Sequence, residues 1–264
     1  SQISGNIPNT TAVVTGKPVE YHGIPGREDA TARGLLIQLK EYLRLSGLKL
    51  GRAPTVAIQG FGNVGANAAF LAPDFGFKVI AVSDVNGGIH NPNGFDIKRA
   101  HANYESWGDF EGAGADAISN EALLTLPVDI LILAAIEHQI IATNAQDVRA
   151  KIVVEGANGG IAPVALPILA ESGITVLPGI AANVGGVVVS FLEWSSNRGN
   201  RRHNVDLAKE HAWVVDELTS IMEDVIGNVY RESVEQKCSL PKAAHRLALL
   251  RIRDQLKRKH SYLL

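Results

Sequence analysis

The sequence predicts an α/β fold: a doubly wound, mostly parallel sheet closed by a helical C-terminal extension. Three observations carry this. Short β-branched runs alternate with helical stretches, the pattern of parallel strands joined by helices. A glycine-rich string, Gly60 to Gly65, stands between one such run and the next helix. Strand signals cease after Asn197, and long helical periodicity takes over.

In order, residues 1–27 read as a linker, turn-rich at Ser4, Gly5, Asn6, Pro8 and Asn9. The chain opens on Ser1 rather than Met, so a start further upstream is expected, and a fragment is one reading of it. A dinucleotide-binding domain is expected over 28–197. Its first helix runs from Glu28 to Ser46, with Glu28 and Asp29 in the first turn, an apolar stripe at Leu36, Leu39 and Leu43, and a stop at Gly47. A strand at Thr55 to Gln59, a helix from Asn63 and a strand at Lys78 to Ser83 make one βαβ unit. Further strands at Asp129 to Leu133, Ile152 to Glu155 and Thr175 to Leu177 are short, apolar and bounded by turns, as strands buried on both faces must be. The sheet thus has at least five strands.

Arg198-Gly199-Asn200-Arg201-Arg202 is a polar break, and 198–264 is expected to extend the same domain with helices. Val214, Leu218, Ile221, Val225 and Val229 fall on one helix face. A last helix opens at Ser239, carries Pro241 near its first turn and ends in Lys257, Arg258 and Lys259, a basic run that reads as a solvated helix end.

Bulk properties exclude several classes. With 264 residues, 46% of them hydrophobic, the chain can bury a substantial core. A net charge of −2 gives no global electrostatic reason to bind nucleic acid or an anionic membrane. The longest apolar runs, such as Val128 to Ile136, are too short to span a bilayer, and nothing resembles a signal peptide. One cysteine, Cys238, read as an inert helix residue, allows no intrachain disulfide, and no Cys or His cluster has metal-ligand spacing. A soluble, cytoplasmic protein without a metal is expected.

Gly60-Phe61-Gly62-Asn63-Val64-Gly65 is a G-x-G-x-x-G string, weak evidence alone and stronger in context. It follows the strand Val56-Ala57-Ile58, opens a helix, and precedes by nineteen positions Asp84 at the end of the next strand, as a Rossmann-like dinucleotide site requires. Gly60 permits the tight turn, Gly62 lets backbone N–H groups approach a pyrophosphate, and Gly65 lets helix and strand pack closely. The helix N-terminus then faces the phosphates. Asp84 would accept hydrogen bonds from ribose hydroxyls; the alternative is an aspartate that turns the chain. A βα turn without ligand is the corresponding alternative for the glycines.

From Thr15 to the C-terminus the chain resembles the glutamate dehydrogenase family. The resemblance is carried by Thr15-Gly16-Lys17-Pro18, Gly26-Arg27-Glu28-Asp29-Ala30-Thr31, Ile58 to Gly65, Val153-Val154-Glu155-Gly156-Ala157-Asn158, and the run from Ala182 to Trp194. Leucine and phenylalanine dehydrogenases share the layout, but Ser190-Phe191-Leu192-Glu193-Trp194 and Ala134-Ala135-Ile136-Glu137 look more like the glutamate branch. The resemblance implies NAD as coenzyme, with NADP allowed. It places Arg27 and Thr31 near the nicotinamide, Thr31 and Asn183 on its carboxamide, Asn63 and Asn158 on the ribose side, and Phe61, Val64 and Ala135 in the same coenzyme site. It implies that Val187 and Ser190 border L-glutamate or 2-oxoglutarate, with the Ser190 hydroxyl donating to the side-chain carboxylate. Read without the family, Ser190 is a packing residue that bonds its own backbone, Thr31 a first-turn helix residue and Asn183 a turn residue.

The chain departs from the family pattern at Ile24-Pro25, Ala32, His138 and Gly160-Ile161-Ala162, all around the nicotinamide pocket. His138 reads as a loop or surface residue without an acid–base role. The resemblance also implies that the catalytic lysine and aspartate belong to an N-terminal domain preceding these motifs, so no catalytic residue is assigned here, the isolated chain is expected to be inactive, and hexamers are expected of the complete protein. The two readings are the coenzyme domain of a glutamate dehydrogenase and a stand-alone nucleotide-binding or regulatory subunit.

Overall fold

The computed structural model describes residues 10–110, 112–199 and 206–261. In chain order its main elements are helix α1 (Ala30–Ser46), strand β1 (Thr55–Gln59), helix α2 (Asn63–Leu71), strands β2 (Lys78–Ser83) and β3 (Gly88–His90), helix α3 (Ile97–Trp107), strand β4 (Asp116–Ile118), helix α4 (Asn120–Leu124), strands β5 (Ile130–Leu133) and β6 (Ile152–Glu155), helix α5 (Leu166–Glu171), strand β7 (Thr175–Leu177), and helices α6 (Gly179–Ala182), α7 (Gly185–Arg198), α8 (Leu207–Gln236) and α9 (Leu240–Ser261).

The strands form one sheet in the order β4-β3-β2-β1-β5-β6-β7. β2, β1, β5, β6 and β7 run parallel, and β3 and β4 extend the β2 edge antiparallel. The five expected strands are all present. β3 and β4 were not expected: three residues each, with a glycine in one and an exposed aspartate in the other, they carry no apolar pattern.

Side chains alternate between two cores, as the pleat demands. Val56 and Ile58, Ile130 and Ile132, and Ile152 and Val154 meet α1, α2, α8 and α9 on one face. Ala57, Leu131, Leu133 and Val153 meet α4, α5 and the loop after β5 on the other. A third cluster joins α1, α7 and α8 through Ile37, Val189, Leu192, Leu218 and Met222.

Three expectations need correction. The first helix begins at Ala30, not Glu28; residues up to Asp29 form a turn, and the Asp29 carboxylate is occupied by Arg33 one turn ahead rather than capping the backbone. The buried stripe of α8 is Val214, Leu218, Met222, Ile226 and Val229, with Ile221 and Val225 only half buried beside it, because α8 lies broadly against α1. Cys238 is not helical. It sits between α8 and α9, where Ser233 Oγ donates to its carbonyl and its side chain packs on the sheet core. The turn-rich positions Ser4 to Asn9 and residues 200–202 of the polar break lie outside the described residues. Among the described residues no helix is long and apolar enough to cross a membrane, and no group of His, Cys, Asp or Glu could hold a metal ion.

Candidate functional site

β1 and β5 are neighbours whose onward connections leave to opposite faces of the sheet: α2 follows β1 on one, the loop after β5 lies on the other. Such a switch point opens a crevice at the carboxyl ends of the strands, where ligands of doubly wound folds bind. Gly60 to Gly65 lies in it. Gly60 has φ 95°, and a Cβ there would stand 2.5 Å from the Ala134 carbonyl and 2.6 Å from the Ala135 nitrogen. At Gly65 a Cβ would fall 1.8 Å from the Gly60 oxygen. Both positions therefore exclude side chains for reasons internal to the protein. Gly62 differs, since a Cβ there meets nothing within 4 Å. It is the N-cap of α2, it has an ordinary extended backbone, and no side chain caps the helix. Gly62 and Asn63 are exposed, so the N-terminus of α2 opens on free space in front of Gly62, an anion site in form and polarity.

Phe61 is turned away from that space. It is buried against Tyr104 and Phe110, at 5.4 and 5.1 Å between ring centres, so only its backbone faces the crevice. Asp84, half exposed, closes its own turn by accepting the Asn86 N–H at 2.8 Å, and its carbonyl accepts Asn120 Nδ2 at 2.7 Å. Burial raises the pKa of the neighbouring Tyr104 phenol, and the Asp84 carboxylate adds to the effect.

A second group assembles where the turn before α1 crosses the start of α7. Arg27 Nε donates to Ser190 Oγ at 2.8 Å. A Cβ on Gly186 would lie 2.6 Å from Thr31 Oγ1 and 3.2 Å from Arg27 Nη1, which fixes both side chains over the first turn of α7. Ser190 is thus held by another side chain rather than by its own backbone, with its hydroxyl proton left to donate. Val187, one turn earlier, is 70% exposed. At the ends of β6 and β7, Asn183 Nδ2 donates to Asn158 Oδ1 at 2.6 Å. The buried Glu155 carboxylate fixes the loops around them by accepting the Ile161 and Gly179 N–H groups, both at 2.9 Å. Asn63, Val64 and Ala135 stand at the crevice itself, Asn63 and Ala135 exposed and Val64 against Gly156. His138 is exposed in the loop after β5 with φ 55°.

Sequence reasoning assigned no role to Lys17, Glu193 or Asn197, although two of these stood in quoted motifs. Glu193 is fully buried and pairs with Lys17. A lone acid between Leu192 and Trp194 in an apolar helix is the signal that asks for such a partner.

A family model described as Glutamate/Leucine/Phenylalanine/Valine dehydrogenase matches residues 23–259. The chain is 40% identical over 232 residues to a catabolic NAD-specific glutamate dehydrogenase of Bacillus subtilis, covering 88% of this chain and 53% of that protein. It is 41% identical over 227 residues to an NADP-specific glutamate dehydrogenase of Halobacterium salinarum, covering 84% and 52%. Among solved structures it is similar to the hetero-hexameric glutamate dehydrogenase of Thermus thermophilus in its leucine-bound form, with TM-score 0.83 and 31% identity over 92% of this chain and 56% of that one. The chain spans about half the length of these relatives.

Proposed function

Because the chain belongs to the glutamate/leucine/phenylalanine/valine dehydrogenase family, we propose that it is the coenzyme-binding part of an NAD(P)-dependent glutamate dehydrogenase. In this reading the rest of the catalytic machinery comes from sequence beyond these residues. One observation carries the proposal: the uncapped N-terminus of α2, with open space in front of Gly62, sits at the switch point of a doubly wound sheet. The residues fit the coenzyme. The α2 amides would hold the pyrophosphate, Asp84 the ribose, and Thr31 with the Asn158–Asn183 couple the nicotinamide end. When bound, NAD(P) supplies the acceptor for the hydride leaving the α-carbon of L-glutamate, on the way to 2-oxoglutarate and ammonia. Ser190, its oxygen occupied by Arg27 Nε, donates its proton to the side-chain carboxylate, and Val187 covers the methylenes beside it. The hetero-hexameric state of the Thermus relative supports a hexamer for the complete protein.

Calorimetric titration of the chain with NAD and NADH tests the coenzyme site. Saturable binding is expected, and Gly62→Val is expected to abolish it without loss of fold, since a Cβ there meets no protein atom within 4 Å and the side chain fills the phosphate approach. A folded wild-type chain that gives no saturable heat would refute the assignment.

A further inference from the structure

Helix α7 carries a polar stripe, Ser190, Glu193 and Asn197, whose spacing of three and four sets the three side chains on one face. Each is met by the segment that leads into α1. Arg27 Nε donates to Ser190 at 2.8 Å. The Glu193 carboxylate accepts the Gly16 N–H at 2.8 Å and the Lys17 N–H at 3.5 Å, and pairs with the Lys17 ammonium, which also donates to the Val14 carbonyl at 2.7 Å. Asn197 Nδ2 donates to the His22 carbonyl at 3.1 Å. The segment is thus strapped along α7, and Glu193, 0% exposed, is its central fastening.

The energetics indicate what this fastening is for. A buried ion pair recovers little more than the desolvation of its two charges, so an apolar pair of similar shape would stabilise the fold as well. What an apolar pair lacks is direction. Three N–H donors converging on one carboxylate fix residues 14 to 17 against the helix that carries Val187 and Ser190.

We propose that Glu193 is a positioning residue for the amino-acid side of the site: through Gly16 and Lys17 it holds the 14–17 segment on α7, so that this segment and the Val187–Ser190 turn present one rigid wall to the substrate. The proposal rests on the reading above that Val187 and Ser190 border glutamate. Glu193 acts through these neighbours and touches neither substrate nor coenzyme.

Glu193→Gln in the complete dehydrogenase is the direct test. Because it leaves the Lys17 ammonium without a counter-charge and can weaken folding, Lys17→Met/Glu193→Gln, which removes both charges at nearly constant shape, is measured beside it. The expected result for the folded double variant is a fall in kcat/KM for glutamate of roughly 10–100-fold, the penalty for a reacting group displaced by about 1 Å, mostly through KM. The Kd for NADH should stay at the wild-type value. Amide hydrogen exchange in the chain described here gives a readout that needs no catalysis: the Gly16 N–H is protected in the wild type and exchanges quickly in Lys17→Met/Glu193→Ala, which leaves it no side-chain acceptor. Wild-type kinetics in a folded double variant, or a Gly16 amide that is unprotected in the wild type, overturns the proposal. A complete wild-type enzyme that binds NADH but leaves glutamate untouched refutes the substrate reading instead, and amide exchange then still decides whether the strap exists.

Discussion

The Asp84 carboxylate accepts the Asn86 N–H at 2.8 Å on one oxygen and Asn86 Nδ2 at 3.4 Å on the other, yet remains half exposed at the carboxyl edge of β2, so the turn-forming and ligand-facing readings of this residue are compatible. A 2′-phosphate beside it would meet like charge, and no Lys or Arg follows until Lys98 to compensate. NAD is therefore expected to bind more tightly than NADP. Two like charges at about 4 Å in a partly solvated site repel by about 1–4 kcal/mol, so a gap of at least about fivefold in Kd should appear, and Asp84→Ser should narrow it. Equal dissociation constants in the wild type would refute this. At single residues, the sequence disclosed what depends on near neighbours, such as the glycine spacing around Gly62. It did not disclose the Arg27–Ser190 bond, whose partners are 163 positions apart. His138, one of the departures from the family pattern, proves to have a left-handed backbone, a conformation in which histidine is among the enriched side chains.

Among the elements, the parallel strands were legible because burial on both faces leaves unbroken apolar runs, whereas β3 and β4 have too few residues to show any period. What aligns the central strands was less legible. Asp129, just before β5, accepts the Thr55 N–H at 2.9 Å and hydroxyl at 3.1 Å at the start of β1, and Lys151 Nζ at 2.7 Å just before β6. Burial alone would raise its pKa, but the Lys151 ammonium and the two Thr55 bonds outweigh it and hold the carboxyl below the ordinary aspartate range. A depressed pKa contributes stability that is present above the unfolded value and lost as pH falls through the folded one. Asp129→Ala should destabilise the chain by about 1–3 kcal/mol near neutral pH, chiefly by stranding the Thr55 donors, since the Lys151 side chain is well exposed. In denaturant unfolding, the gap to wild type should shrink once acid protonates Asp129. A gap that is the same at both pH values would rule the linkage out.

For the whole molecule, the proposed function makes the groups that meet at α7 and the strand ends one wall of a catalytic cleft. Arg27, Thr31, Asn158, Asn183 and Ser190 can bind and orient, but none of them is of the His, Asp, Glu, Lys, Tyr or Cys types that serve as general acids and bases. General acid–base catalysis, which contributes about 10²–10⁴-fold, must come from groups outside that set. The chain saturated with NAD should therefore form no NADH from glutamate above background, and turnover that follows the purified chain and falls in Ser190→Ala would overturn this. Fold class and crevice followed from local patterns, while the fastening of α7 depends on pairs that no window along the chain brings together. That separation also orders the assembly of the protein in time. The Gly16 N–H and its acceptor on Glu193 are 177 positions apart. A polypeptide made from its N-terminus exposes the Gly16 amide to water until Glu193 has been synthesised, so the strap is by construction a late contact in biogenesis, closing on a sheet whose strands have all already been made.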